Sequence, residues 1–398
     1  MVSQLPLISA PARIPPPWLT GPGSGTAALG LSTHFERQPG LPLSGLDQIR
    51  AAGIRHVRLD LEWTHVEQQP GVYNFAYYDA LIDALRTRGL QPMIILGSGH
   101  PLYGEQRSIR TPQGQAAYNR FVQAAVARYQ GPDVLWELWN EPNHRTFWKP
   151  QPDVDEYMRW ASSTTSAIRQ VDPDAVLCGP NTAGMPIPFL KACLDRGLLT
   201  LVDAVNMHPY QAYPVSRAPE HFLQEYRQVR ALVDSYQPGT PLLLGEWGHS
   251  TAMGSNDVDE ATQAAYLMRQ SLLAMMVGSP LSVWYDWQED GSEPGNKEHH
   301  FGIVRPDGQP KPAYAAMQTL HQALTGRQYA GRLPGDPNDY PLMFHAQDPA
   351  QPSLLAAWTT SPPHWITING QAIWLDGMPR FFSMSAPPLT PARTAWLA

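Results

Sequence analysis

Long apolar runs, cysteine and positive charge are all scarce in this 398-residue chain. No stretch of 18 apolar residues occurs, so the sequence predicts no membrane-spanning helix. The two cysteines, Cys178 and Cys193, are too few for a disulfide framework, and we expect both to be free thiols. A formal net charge of −7 repels a polyanion, which makes nucleic acid a poor candidate partner.

A secretion signal is also missing from the first residues of the chain. The first basic residue is Arg13, and the segment before it lacks the basic start and the continuous apolar stretch of a signal peptide. This pattern is typical of a cytoplasmic protein or of a chain numbered from after a removed signal. The compartment stays open, with a secreted or periplasmic location somewhat favoured.

Aromatic residues are abundant although charged residues are few. Charged residues form 16% of the chain and aromatic residues 10%, including 13 tryptophans. A single tryptophan usually belongs to the hydrophobic core, because its side chain is large and apolar. A chain rich in tryptophan and poor in charge is nevertheless what stacking on flat neutral rings requires.

Short apolar runs alternate with helical periods along the middle of the chain. Between the runs, apolar residues recur at helical spacing, as in Tyr78, Leu81, Ile82 and Leu85. Eight such units favour a closed (β/α)8 barrel, an α/β fold, over an open doubly wound sheet, since no Gly-x-Gly-x-x-Gly follows the first strand. The predicted strands cover residues 28–35, 56–63, 91–97, 134–140, 175–179, 203–208, 241–247 and 282–288.

The two ends of the chain differ from this repeating middle. Residues 1–27 are rich in proline and glycine and predict an extended lead-in, whereas residues 28–325 contain the predicted barrel. In residues 326–398 we expect a small β-rich appendage packed on the barrel. Its β-like runs are Ser353–Thr359, Trp365–Ile368 and Ala372–Leu375.

Polar and aromatic residues stand where the predicted strands end. In a (β/α)8 barrel these carboxyl ends meet at one mouth, where the active site lies. A purely structural barrel does not need such a lining, so we expect a functional site there. The residues concerned are His34, Arg58, Glu62, Trp63, His100, Asn140, Glu141, Asn181, His208, Tyr210, Glu246, Trp284, Asp286 and Trp287.

Glu141 and Glu246 end the fourth and seventh predicted strands, on opposite sides of an eight-stranded barrel. Their carboxylates can therefore face each other across the mouth. Two carboxyl groups about 5–5.5 Å apart cleave a glycosidic bond with retention of configuration, because one of them attacks the anomeric carbon. This pair of residues indicates a glycoside hydrolase.

Three segments carry a specific resemblance. Val134–Pro142 reads Val-Leu-Trp-Glu-Leu-Trp-Asn-Glu-Pro, Asn206–Tyr210 reads Asn-Met-His-Pro-Tyr, and Leu242–Gly248 reads Leu-Leu-Leu-Gly-Glu-Trp-Gly. In chain order they resemble the fourth-, sixth- and seventh-strand motifs of clan A, the large clan of retaining (β/α)8 glycosidases. Within that clan the chain looks most similar to family 39 and to the cellulase-like enzymes of family 5.

The resemblance implies a role for each matching residue. Glu141 is implied to be the acid/base and Glu246 the nucleophile. Asn140 is implied to contact the sugar 2-hydroxyl. Tyr210 would contact the nucleophile, and Arg58 would hold it ionised.

Other residues are candidates for substrate contacts. Trp284 or Trp287 matches the aromatic platform that the clan places on its eighth strand. Trp148, with Phe147 beside it on the loop after strand four, is a candidate wall for the leaving-group side. The remaining candidates are His34, His100 and His208.

Some charged residues have simpler interpretations. Glu62 and Glu137 resemble candidates for the acid, but Glu137 stands four residues before the end of its strand and fits the packing layers of the barrel. His299 and His300 are adjacent without a third ligand, which is more typical of a polar loop than of a metal site. We therefore expect neither a metal nor a cofactor.

Taken with the resemblance, these residues predict a retaining hydrolase of β-glycosidic bonds in an oligo- or polysaccharide. Long loops and many tryptophans favour an open cleft and endo action. A transglycosidase on the same site is one alternative, and a non-catalytic glycan-binding barrel is another. The sequence leaves the oligomeric state open and is compatible with a monomer.

Overall fold

The computed structural model describes residues 16–20, 29–37, 40–210, 218–252, 254 and 257–384. Its barrel strands are β1 (Leu29–Ser32), β2 (His56–Asp60), β3 (Gln91–Leu96), β4 (Leu135–Leu138), β5 (Val176–Ala183), β6 (Ala204–His208), β7 (Leu242–Trp247) and β8 (Ser282–Trp284). Each strand pairs in parallel with its neighbours in chain order, and β8 pairs with β1, so the sheet is closed. The predicted (β/α)8 barrel is confirmed, and the open-sheet alternative is wrong.

A helix follows each barrel strand. These helices are α1 (Leu43–Ala51), α2 (Ala76–Thr87), α3 (Pro112–Tyr129), α4 (Val154–Val171), α5 (Ile187–Asp195), α6 (Phe222–Tyr236), α7 (Glu260–Met276) and α8 (Pro312–Leu324). In α3 the hydroxyl of Thr111 accepts a hydrogen bond from the Gly114 amide, and Pro112 begins the helix, so both residues favour its start. Its predicted apolar stripe, including Tyr118 and Phe121, is buried.

Shorter elements connect the strands and helices. They are the helical turns Pro17–Thr20, Phe35–Arg37, Trp63–Val66, Pro101–Tyr103, Leu198–Thr200, Pro219–His221 and Lys297–His300, and a hairpin of Glu67–Gln69 with Val72–Tyr73. Within the described ranges, no helix has both the length and the apolar character needed to cross a bilayer. Cys178 and Cys193 are both buried free thiols, as expected.

The N-terminal end of the barrel is filled with apolar side chains. Leu19, on the short helix Pro17–Thr20, is fully buried against the inner residues of the strands. Trp18 packs beside it, where its indole nitrogen donates to the Pro132 carbonyl at 3.3 Å and its ring lies 5.3 Å from that of His56. This part of the predicted lead-in therefore closes the barrel floor, and residues 1–15 and 21–28 lie outside the described ranges.

The C-terminal part is β-rich and begins immediately after the last helix. Its strands are β9 (Arg327–Arg332), β10 (Asp339–Ala346), β11 (Ser353–Thr359), β12 (His364–Ile368), β13 (Gln371–Leu375) and β14 (Arg380–Met384). Strands β9, β10, β11 and β14 form an antiparallel sheet, while β12 and β13 form a separate hairpin. Three of these strands coincide with the predicted β-like runs, and the other three were not predicted.

A buried polar contact joins this sheet to the barrel. The indole nitrogen of Trp358, on β11, donates to Glu220 Oε1 at 2.7 Å. Glu220 precedes α6 and pairs with Arg269 on α7, whose Nε lies 2.7 Å from the same oxygen. Tyr340 stacks on Trp358 with ring centroids 4.9 Å apart. Because all four residues are buried, the sheet packs directly on the helices of the barrel.

Candidate active site

A cavity of about 720 Å³ opens at the carboxyl ends of the barrel strands. Residues from the ends of all eight barrel strands and from the loops that follow them line it. The lining includes Ser32, His34, Arg37, Arg58, Asp60, Glu62, Ser98, Arg107, Trp139, Asn140, Glu141, His144, Phe147, Tyr210, Glu246, Tyr285, Asp290, Lys297, Glu298 and Phe301. This is the mouth at which sequence analysis placed a site.

Glu141 and Glu246 face each other in this cavity. A carboxylate oxygen of each lies within 4.8 Å of the other and of a ring nitrogen of His208. The two side chains are 12% and 13% exposed, so they reach solvent only through the cavity. This spacing fits the separation of about 5–5.5 Å at which one carboxylate attacks directly and configuration is retained.

Local backbone geometry places the two glutamates. Trp139 and Glu141 both have positive φ, at 72° and 48°, in the sharp turn that follows β4. Asn181 on β5 holds this turn, since its amide donates to the Trp139 carbonyl at 2.7 Å and its own carbonyl accepts from the Glu141 amide at 2.9 Å. Before Glu246, any side chain on Gly245 would lie within 2.6 Å of the Asn206 amide group, so glycine is required there.

Three side chains surround the Glu246 carboxylate. Arg58 Nη1 lies 2.5 Å from Oε2, Tyr210 donates its hydroxyl to Oε1 at 3.0 Å, and His208 Nδ1 is 3.9 Å from Oε2. Burial raises the pKa of Glu246, but Arg58, His208 and the Tyr210 hydrogen bond lower it by more, so its pKa lies below the usual value. Glu246 is thereby kept ionised, as a nucleophile requires.

Arg58 connects Glu246 to the interior of the barrel. Its guanidinium donates to Glu137 through Nε at 3.0 Å and Nη2 at 3.0 Å, and to Asn140 Oδ1 through Nη2 at 2.9 Å. Burial lowers the pKa of Arg58, but Glu137 and Glu246 raise it by more, so Arg58 stays charged. Glu137 is fully buried and does not line the cavity, which agrees with its predicted place in the packing layers.

His208 orients Glu141. Its Nδ1 lies 2.9 Å from Glu141 Oε1, and the imidazole is fully buried. Trp139 lines the same cavity, and its indole nitrogen donates to the Phe147 carbonyl at 3.1 Å. The structure thus brings together Asn140, Glu141 and Glu246 with three other predicted site residues, Arg58, His208 and Tyr210.

Two groups of described residues have donor atoms close enough to hold a cation. They are Glu141, His208 and Glu246, and His34, Asp286 and Asp290. In each group a histidine nitrogen lies 2.9 Å from a carboxylate oxygen, a spacing that a hydrogen bond explains without an ion. The absence of a metal or cofactor from the reaction therefore stays a prediction.

The predicted tryptophan contacts need correction. Trp148 is fully buried, with its indole nitrogen 3.2 Å from Glu156 Oε2, so it belongs to the core and only Phe147 reaches the cavity. Trp284 and Trp287 are 4% and 3% exposed and do not line the cavity either. The aromatic ring that the eighth strand end presents is that of Tyr285.

The two remaining predicted histidines differ in position. His34 lines the cavity, and its Nδ1 lies 2.9 Å from Asp290 Oδ1. His100 is buried away from the cavity, where Nδ1 accepts from the Leu102 amide at 3.1 Å and Nε2 lies 2.7 Å from the Glu67 carbonyl. It caps a helical turn, so the structure gives His100 no direct path to a substrate.

The sequence profile of glycosyl hydrolases family 39 matches residues 4–360. This chain belongs to glycosyl hydrolases family 39. The comparison decides between the two families that the motifs resembled. The family 39 enzyme is a retaining O-glycosyl hydrolase, so the non-catalytic alternative is wrong.

Relatives and solved structures agree with this assignment. A β-xylosidase of Geobacillus stearothermophilus is 28% identical over 348 residues, 75% of this chain and 67% of the relative. A β-xylosidase of Caldicellulosiruptor saccharolyticus is 25% identical over 63% of this chain and 57% of its own length. A family 39 glycoside hydrolase from Bacteroides cellulosilyticus WH2 has the same fold, with a TM-score of 0.77 and 23% identity over 91% of this chain and 82% of that one.

Several residues of the family 39 enzyme's cavity were missed by sequence analysis. They lie in the connections that follow the strands, and all five are charged: Arg37, Arg107, Asp290, Lys297 and Glu298. Loop residues that face a cavity follow no periodic sequence pattern. The position of these residues after the strands was therefore the only feature by which the sequence could have indicated them. Glu62, already considered as a false acid, also lines the cavity, and burial with Asp60 beside it raises the pKa of Glu62 to about 7.

Proposed function

We propose that this family 39 enzyme removes one β-linked sugar at a time from the end of a glycan chain. The proposal rests on a contact between two loops beside Glu141 and Glu246. His34 follows β1, and its Nδ1 lies 2.9 Å from Asp290 on the loop after β8. Arg37 Nη1 lies 3.5 Å from the same carboxylate. We interpret this contact as a wall that ends the cavity.

The position of this wall supports exo action. The leaving group departs past Glu141 and therefore lies toward β4 and Phe147. The sugar that Glu246 attacks lies on the opposite side, toward β1 and β8, where His34 and Asp290 meet. We infer that a wall there closes the cavity behind a single sugar, and this proposal replaces the earlier expectation of endo action.

Terminal β-xylosyl groups are the substrate we favour. Two relatives matched over much of the chain are named β-xylosidases, from Geobacillus stearothermophilus and Caldicellulosiruptor saccharolyticus. A small terminal pentose also suits a closed subsite. A transglycosidase would use the same residues and would differ only in passing the sugar to another glycan.

The reaction has two steps. In the first, a Glu246 oxygen bonds to the anomeric carbon while Glu141 gives its proton to the departing oxygen, whose bond to that carbon breaks. In the second, Glu141 takes a proton from water, and the water oxygen displaces Glu246 from the sugar. Arg58 binds the Oδ1 side of Asn140, which leaves the amide nitrogen to donate to a sugar hydroxyl.

Defined substrates test this proposal. Purified enzyme should hydrolyse an aryl β-xyloside faster than the matching glucoside and galactoside. From xylo-oligosaccharides of known length it should release xylose alone, with the chain shortening by one unit at a time. Early formation of internal fragments would contradict exo action, and products longer than the substrate would favour a transglycosidase. The Glu246→Gln variant provides the inactive control.

A further inference from the structure

The most exposed large apolar side chain in the described ranges is that of Trp365, at 66%. It lies on the hairpin of β12 and β13, outside the catalytic cavity. Trp374 stands directly opposite it in the hairpin register, and the two ring centroids are 5.4 Å apart at an interplanar angle of 60°. Two neighbouring indoles on a surface require an explanation, because water contact disfavours large apolar rings.

The hairpin fixes these rings on its outer face. Side chains alternate along each strand, so Ile366 and Ile373 face inward while Trp365 and Trp374 face outward. Ile373 is fully buried in the apolar cluster beneath the hairpin. The strands connect through Asn369 and Gly370, both with positive φ, as a tight hairpin turn requires. The Asp376 carboxylate also accepts a hydrogen bond from Trp374.

We propose that Trp365 and Trp374 form a second glycan-binding site, which holds a neutral β-linked chain by stacking against its sugar rings. The inference rests on the proposed action on a glycan. The flat faces of β-linked sugars expose C–H groups that pack on indoles, and Thr367 on the same face supplies a hydroxyl.

Charge and size support this occupant over others. Residues 361–375 contain no lysine, arginine, aspartate or glutamate, so the hairpin has no permanent positive charge with which to attract an anionic surface or polymer. A second copy of the chain would need a larger patch. Two aromatic side chains provide roughly 150–250 Å² each, whereas a stable dimer buries about 800 Å² per partner.

Affinity electrophoresis tests the site with two neutral polymers, an arabinoxylan and a mixed-linkage β-glucan. The Glu246→Gln background prevents consumption of the polymer. At least one polymer should retard the full chain, and Trp365→Ala should weaken that binding about tenfold, which corresponds to 1.4 kcal/mol. Trp365→Phe should retain part of the binding. Val72→Ala, a change at a 60%-exposed apolar residue of another hairpin, should have no effect.

The outcomes separate this inference from the proposed function. In the otherwise active chain, Trp365→Ala should leave kcat/KM on an aryl β-xyloside unchanged, so loss of polymer binding alone supports the site. Equal retardation of Trp365→Ala and its parent, or no retardation on either polymer, would overturn it. A fall in solution mass from dimer to monomer on Trp365→Ala would also overturn it, by identifying a second copy as the occupant. Failure to cleave xylosides would bear only on the proposed function.

Discussion

At the floor of the barrel, Leu19 and the apolar layer above it are buried without any charge among them. At the mouth, Arg58 and Glu137 are almost equally buried, yet both are ionisable and pair with each other. The same eight strands build both ends. The floor therefore contributes stability through apolar burial, whereas the mouth keeps buried charges that apolar residues of similar size could replace with little loss of stability.

This difference between floor and mouth indicates which end of the barrel contains the proposed catalytic residues. A buried charge lowers stability unless it is paired. At the mouth each charge is paired, because Arg58 binds both Glu137 and Glu246, and Tyr210 donates a hydrogen bond to Glu246. Changes at the mouth should therefore reduce turnover more than stability, and changes at the floor should do the opposite. Five substitutions test this division.

The largest effect is expected for Glu246→Ala. Loss of the proposed nucleophile should reduce kcat on an activated aryl β-xyloside on the order of 10⁴-fold or more, because no covalent intermediate can form. Azide should restore part of the rate by occupying the vacated space. Thermal unfolding should change little, because Arg58 keeps Glu137 as its partner. Substantial activity of Glu246→Ala without azide would contradict both the proposed role of Glu246 and the contrast between the mouth and the floor.

Glu141→Ala should have the next largest effect, and it should depend on the leaving group. For substrates with poor leaving groups, kcat/KM should fall about 10²- to 10⁴-fold, since the departing oxygen receives no proton. For dinitrophenyl glycosides the first step should be nearly unaffected. Pre-steady-state rates across a series of aryl β-xylosides measure this dependence.

Glu62→Gln is the matched control for Glu141. Burial, with Asp60 nearby, raises the pKa of Glu62 to about 7, a value suited to an acid catalyst. It does not belong to the group of atoms around Glu246, however, so its removal should leave the leaving-group dependence unchanged. If the rate of Glu62→Gln depended steeply on the leaving group, the acid role would belong to Glu62 instead of Glu141.

Leu19→Ala examines the floor. Removing a fully buried leucine side chain should lower the free energy of unfolding by about 2–5 kcal/mol. At temperatures where the variant stays folded, kcat/KM should equal that of the parent. Chemical denaturation provides the measurement, and Leu41→Ala, at a leucine that is 40% exposed, is the control. A loss of activity that parallels the loss of stability would show that the two ends are not separate.

Tyr210→Phe should have the smallest effect, on pH dependence. The Tyr210 hydroxyl stabilises the ionised form of Glu246, so its loss should raise the pKa of that carboxyl. The acidic limb of the kcat/KM profile should then move to higher pH, by about one unit if the bond is worth about 1.5 kcal/mol. An unchanged limb, or a shift to lower pH, would contradict the assigned contact.

The floor and the mouth also differ in how much of them the sequence predicts. Apolar runs identify every barrel strand, because a parallel strand buried on both faces is apolar throughout. Glu141 and Glu246 follow from their place at strand ends. Trp284 and Trp287 were misplaced because the direction of a side chain at a strand end depends on local backbone geometry, which presents Tyr285 instead.

Contacts between distant segments are harder to predict. Trp148 was read as a cavity wall, but its indole meets Glu156 on α4, a contact that loop position does not reveal. The contact between His34 and Asp290 joins loops 256 residues apart in sequence, so no local pattern specifies it. The described floor helix around Leu19 was likewise predicted only as extended chain.

Trapping of the covalent intermediate tests the central claim most directly. An activated 2-deoxy-2-fluoro-β-xyloside should inactivate the enzyme, because the fluorine slows both steps while the activated leaving group keeps the first one fast. After proteolysis, mass spectrometry should find one added fluoroxylosyl group, on the peptide that contains Glu246. A label on Glu141 or on any other carboxylate would contradict the assignment of Glu246 as the nucleophile.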